Sequence, residues 1–167
     1  MNPLVPSMDP HAAADWLIRG DAPDDALVAL AYTAAQDAEH AAEAIRTMPP
    51  SVVARLTDDA LHALTHTAAE KAGTAFWSLV WMPPHVAARL RDDALVALAQ
   101  GAAQEASLAM QALVRTPPPV ASRLPDDLIR TLAQAAAQEA SLAAQALRGM
   151  PPPVASRLPD EALVALA

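Results

Sequence analysis

Residues Met82–Leu95 read MPPHVAARLRDDAL. Three near-copies of that phrase stand at Met48–Leu61 (MPPSVVARLTDDAL), Thr116–Ile129 (TPPPVASRLPDDLI) and Met150–Leu163 (MPPPVASRLPDEAL). The copies recur every 34 residues. A fixed period of this length marks a tandem array in which each unit is one supersecondary element. Counted from the first aspartate of the phrase, the full units span 24–57, 58–91, 92–125 and 126–159. A partial fifth unit covers 160–167, and a divergent N-terminal segment covers 1–23. The third and fourth units are identical at 25 of 34 positions, so the chain supplies its own comparison of fixed and variable columns.

The fixed columns dictate the fold. Position 1 is always Asp, position 7 Leu, and positions 11, 12, 15 and 18 Ala; positions 26 and 27 are Pro, 29 Val, 32 Arg and 33 Leu. Positions 4, 7, 11, 15, 18 and 22 are apolar and lie three or four apart, which is a helix stripe and not a strand alternation. Good helix formers fill the gaps. The Asp pair is expected to supply an N-cap and negative charge at the positive helix end. Pro-Pro must end that helix, because proline lacks an N–H and pushes its predecessor out of the α region. Proline also opens helices well, so PPxVAxRL predicts a second helix of about two turns. Each unit is therefore expected to be a helix–turn–helix, long then short. A bend near positions 9 to 12 is the alternative, and Gly101 is the one residue arguing locally for it.

No such unit can bury its stripe alone; stacking on the next does so, at roughly 25 cal/mol per Å² of apolar surface. The expected class is an all-α solenoid of about four repeats. Residues 9–23, DPHAAADWLIRGDAP, predict an N-terminal capping helix with Trp16, Leu17 and Ile18 covering the first repeat. Arg55, Arg89, Arg123 and Arg157 recur beside the Asp pairs that include Asp58, Asp92 and Asp126. They predict a ladder of helix-end and inter-unit ion pairs.

Composition narrows the function. Aromatic residues are only 3% of the chain while apolar residues are 53%, much of it alanine, so helices must meet closely through small side chains. Cysteine is absent, which excludes disulfides, thiolate metal sites and thiol catalysis. The net charge of −8, with Lys71 the one lysine, disfavours nucleic acid and anionic membranes as partners. The longest uncharged run, Ala72–Ala88, is short for a bilayer span and contains Pro83 and Pro84. The start of the chain lacks the basic and apolar regions of a signal peptide, so the expected location is cytoplasmic. The Ala, Arg and Pro bias fits a GC-rich bacterial gene.

The segments LTDDALHAL (Leu56–Leu64) and LPDDLIRTL (Leu124–Leu132) resemble the opening helix of TAL-effector repeats, and a proline-marked second helix follows in both. Tetratricopeptide repeats share only the unit length. The TAL-effector resemblance covers about a third of each unit and implies a right-handed or gently twisted helical stack. That family's base-reading dipeptide would fall at Thr67-Ala68, Gly101-Ala102 and Ala135-Ala136. The residues that follow are Ala69-Glu70-Lys71, Ala103-Gln104-Glu105 and Ala137-Gln138-Glu139, so glutamate mostly replaces the phosphate-facing lysine. No family site is carried over.

Variation among the units points to a binding surface. The second unit carries Phe76, Trp77 and Trp81 where the others have smaller or polar residues. Tryptophan and phenylalanine are typical anchors of interfaces, although Phe76 could equally fill the core. Tyr32 shares a column with His66 and extends the same candidate groove. His62, His66 and Glu70 lie at i, i+4 and i+8, but His62 and Glu70 are two turns apart and do not easily share an ion, so no metal or cofactor is assigned. His40 and His85 are isolated and expected on the surface. Ser107, Ser122, Ser141 and Ser156 recur with the repeat and have no nearby histidine in sequence, and no catalytic constellation emerges.

The expected role is a non-enzymatic scaffold for protein–protein interaction. Its candidate contacts are Tyr32, His62, His66, Phe76, Trp77 and Trp81, and its partner a protein, a peptide or a second copy joined through the C-terminal DEALVALA. The rivals are a self-assembling structural protein and nucleic-acid binding through a TAL-like superhelix.

Overall fold

A computed structural model describes residues 8–167, and every regular element among them is helical. The helices are α1 (Pro10–Arg19), α2 (Asp24–Ala34), α3 (Ala38–Thr47), α4 (Pro50–Arg55), α5 (Asp58–Ala68), α6 (Ala72–Val80), α7 (Pro84–Ala87), α8 (Asp92–Ala102), α9 (Ala106–Arg115), α10 (Pro118–Ala121), α11 (Asp126–Ala136), α12 (Ala140–Gly149), α13 (Pro152–Ala155) and α14 (Asp160–Leu166). Each full unit therefore holds three helices, not two.

The long helix expected for each unit is broken after position 11. In the first unit Ala35, Gln36 and Asp37 form the break, and Asp37 Oδ1 accepts from the N–H groups of Glu39 (2.9 Å) and His40 (3.2 Å), capping α3. In the second unit Thr74 Oγ1 donates to the carbonyls of Ala68 (2.6 Å) and Lys71 (3.0 Å), closing the same turn from the other side. Gly101 does not cause the break; it lies inside α8, and its role is closeness. A Cβ built there would stand 2.5 Å from the Ala69 carbonyl oxygen and 2.7 Å from Ala75 Cβ.

Two further expectations are corrected. The leading aspartates are the first helical residues, and the caps are the residues before them: Pro23, Thr57, Arg91, Pro125 and Pro159. Of these only Thr57 caps through its side chain, accepting from Ala60 N–H at 3.2 Å. The aspartates contribute charge at the helix start instead. The helix after Pro-Pro is six residues long in the first unit and four in the other three, shorter than two turns.

Packing follows the repeat. The first helix of each unit packs on the second helix of the unit before: α5 on α3, α8 on α6, α11 on α9, α14 on α12. Successive first helices also touch one another, as do successive second helices, and α7 touches both α4 and α10. The predicted stripe is the core at positions 4, 7, 11 and 18 and, apart from Leu147, at 22; position 15 is not, since Ala72 and Ala106 are half-buried and Ala140 is exposed. Leu27, Leu61, Leu95 and Ile129 at position 4, with Ala34, Ala68, Ala102 and Ala136 at position 11, are all at most 1% exposed. Burying each large aliphatic side chain contributes about 1.5–3 kcal/mol. The alanines let the helix axes approach.

Helix α1 packs on α2 and α3 and buries Ala13, Ala14 and Leu17. Trp16 does not cover the first repeat; it is 41% exposed. Among the described residues no helix is long and apolar enough to cross a membrane.

The arginine ladder exists and joins two units at once. Arg89 Nη2 meets Asp58 Oδ1 of its own unit and donates to the Leu56 carbonyl of the preceding one at 3.0 Å, while Nη1 donates to the Val53 carbonyl. Arg123 does the same with Asp92, Ala87 and Leu90, and Arg157 with Asp126, Ala121 and Leu124. Arg55 joins Asp24 to the Ala22 carbonyl. Phased from the aspartate, the ion pair is within a unit; the carbonyl bonds cross to the previous one. From the second unit on, the guanidinium thus caps the C-terminal end of one short helix while holding the N-terminal end of the next long one.

Candidate binding face

Helix α6 carries the aromatic cluster, and its periodicity separates the members. Ala75, Phe76 and Leu79 face inward and are at most 1% exposed. Phe76 therefore fills the core, which corrects its place among the candidate contacts: position 19 of the unit points between helices, where the other units hold Ala42, Met110 and Ala144. Trp77 and Trp81 lie one turn apart on the outer side, 45% and 56% exposed. Their rings stack with centroids 6.4 Å apart, and Trp77 meets the buried Phe76 edge-on at 5.1 Å. The core ring thus steadies the surface pair.

Trp77 lines a groove of about 290 Å³ between α3 and α6, together with Glu39, Ala42, Arg46 and Thr74. Glu39 pairs across it with Lys71 at 3.6 Å. One unit-pair further on, α9 and α12 border an open groove of about 380 Å³ that includes Met110, Val114, Arg115, Gln145 and Arg148. Gly149 borders it too, and a Cβ there would come within 3.0 Å of Val114 Cγ1. The second helices of successive units thus pack side by side, with recesses at the α3–α6 and α9–α12 junctions.

The remaining predicted contacts lie on first helices. His62 and His66 on α5 form a tilted ring pair at 5.9 Å; His62 is half-buried and His66 exposed. Tyr32 on α2 is exposed and, among the described residues, pairs with no ring. No ring contact joins these residues to the tryptophan pair. Among the described residues no three His, Asp or Glu side chains gather as metal ligands.

His40 and His85 are not isolated surface residues. His85 Nε2 lies 3.0 Å from the Met48 carbonyl, tying α7 to the end of α3. His40 Nδ1 stands 3.0 Å from Asp37 Oδ1, and its ring packs 5.2 Å from that of His11. The backbone N–H of His40, opposed by partial desolvation and aided by the Glu39 N–H, by His40 and by Lys71, holds the Asp37 carboxyl below its ordinary value.

Sequence reasoning missed one contribution to this face, the arginines at positions 23 and 24 of the units: Arg46, Arg115 and Arg148. The available signal was their absence from the ladder column. No protein-family model, curated protein or solved structure matches the chain.

Proposed function

We propose that this chain is a non-enzymatic scaffold: a right-handed α-solenoid, closed at its N-terminal side by α1, that binds a protein or peptide partner on the face built from α3, α6, α9 and α12. The observation that supports this most is the Trp77–Trp81 pair, stacked and half-exposed over a buried phenylalanine. Two large exposed rings on adjacent turns are costly for a chain that otherwise uses alanine. Rigid aromatic anchors ringed by polar residues are what binding hot spots require.

The test is recovery of a partner from the native host on immobilised wild-type protein and on the W77A/W81A variant. The expected result is a stoichiometric partner retained by the wild type and lost by the variant, with the circular dichroism of both unchanged. Equal recovery by both proteins overturns the reading. Light scattering over a concentration range separates a scaffold of this kind from a self-assembling array.

A further inference from the structure

Ten of the eleven basic residues are arginine, Lys71 being the exception. Seven of the ten are ion-paired: Arg19 with Asp15, Arg91 with Asp93, Arg130 with Asp127, and the four ladder arginines with their aspartates. Arg46, Arg115 and Arg148 have no acidic partner among the described residues. All three sit in the last turn of a second helix, in α3, α9 and α12, at unit positions 23, 24 and 23. Trp81 occupies position 24 of the unit between them. In a chain of net charge −8 the unpaired arginines thus lie at the C-terminal ends of second helices, Arg46 with Trp77 in one groove and Arg115 with Arg148 in another.

A cation in the last turn of a helix is favourable by itself. That does not account for Arg46, whose Nε is buried beside the Trp77 groove and makes no hydrogen bond. Nor does it account for Arg115 and Arg148 both bordering the α9–α12 groove, where only Arg148 Nε is used, donating to its own Ala144 carbonyl at 3.1 Å. A guanidinium presents five donors in a planar fork suited to a carboxylate.

Resting on the reading of this face as a binding surface, we propose that its partner is an acidic peptide segment with an apolar or aromatic anchor. The anchor packs on Trp77 and Trp81, and flanking carboxylates bond to Arg46 on one side and to Arg115 and Arg148 on the other. Glu43, one turn before Arg46 on α3, helps set the orientation: it repels carboxylates from the middle of that helix and leaves its C-terminal turn as the anion's place, while Glu39 is already paired with Lys71. A nucleic acid fits less well. Three fixed arginines on a chain of this net charge are too few to offset the repulsion of a dense run of phosphates.

The test uses three fluorescein-labelled peptides of equal length: Glu residues around a central Leu-Phe, the same peptide with Lys for Glu, and Glu throughout. Anisotropy is read with the wild-type full chain, W77A/W81A and R115E/R148E, and with a labelled single-stranded DNA as a fourth probe. The exposed arginine variant tests the charge without touching the core, and circular dichroism checks each fold. The acidic–apolar peptide should bind about tenfold more tightly than either other peptide, and each double variant should weaken it about tenfold. Equal or tighter binding of the Lys peptide, or an unchanged affinity in R115E/R148E, overturns the proposal. So does DNA binding tighter than the peptide. If W77A/W81A abolishes capture of the host partner while R115E/R148E leaves it intact, the acidic chemistry fails and the binding face stands. If W77A/W81A leaves capture intact, the face itself fails.

Discussion

Arg123 and Asp92 are 31 residues apart in the chain, yet the arginine Nη2 lies 2.7 Å and its Nε 3.0 Å from one carboxylate oxygen of the aspartate. The same guanidinium donates to the carbonyls of Ala87 and Leu90, in the unit before. An exposed ion pair alone contributes little. A guanidinium that also satisfies the free carbonyls of a helix end contributes more, because those acceptors have no intrahelical partner.

Arg123→Ala should therefore cost about 1–3 kcal/mol, more than removal of a simple surface pair. Arg123→Lys should recover only part of this, since an ammonium lacks the fork that reaches a carboxylate and two carbonyls together. Urea unfolding of both variants measures it. Equal stability of the lysine variant and wild type would show that charge alone matters.

Gly101→Ala should destabilise the chain. In an ordinary helix interior the change gains about 1 kcal/mol. Here the new methyl would meet the Ala69 carbonyl oxygen at 2.5 Å, and overpacking of this kind costs typically about 1–3 kcal/mol. Ala135→Gly, at the same column of the fourth unit, should lose at least the propensity term, about 1 kcal/mol, because the methyl it removes is also buried. A rise in thermal midpoint for Gly101→Ala would show that α8 can move away from the second unit freely.

Ser78 is fully buried on α6 and its hydroxyl has no hydrogen-bond partner. Ser78→Ala should stabilise the protein by about 1 kcal/mol, through the removal of a desolvated polar group and a better helix propensity. Loss of stability in thermal melts would mean that the hydroxyl has a partner in solution.

Asp37 carries a pH signature. Its carboxyl is held below the ordinary 3.8, so the stabilisation it provides is complete above that pH and fades as pH falls through the lower folded value. Asp37→Asn keeps a side-chain acceptor for the cap but discards the charge. The wild type should melt higher than this variant at neutral pH, and the gap should close in acid below the aspartate range. A gap that stays constant down to pH of about 2 would assign the effect to side-chain shape instead of ionisation.

The internal repeat made most of this architecture readable. The apolar columns at positions 4, 7, 11, 18 and 22 became the core because each unit can bury them only against its neighbours, and Leu147, near the C-terminal side of the array, is the one position-22 residue left 38% exposed. The break within each long segment was readable only as the alternative of a bend near positions 9 to 12, and it falls at positions 12 to 14. Positions 11 and 15 are four apart, the spacing of one continuous helix, so the turn at Ala35–Asp37 leaves the periodicity intact. Its local signals are small: the acceptor of Asp37 and the hydroxyl of Thr74. Phe76 was ambiguous for a related reason. Residues 76 and 77 are adjacent in the chain and about 100° apart around α6, and only the position of the neighbouring helices decides which one is inside.

The amino-acid sequence alone determined the period, the helical stripe and the Arg–Asp columns, because these depend on local conformational preference and on identical copies meeting in identical ways. The tertiary structure decided which variable residues share a face. Arg46 and Trp77, 31 residues apart, share one groove, and Arg115 and Arg148, 33 apart, share another, only because successive second helices pack side by side.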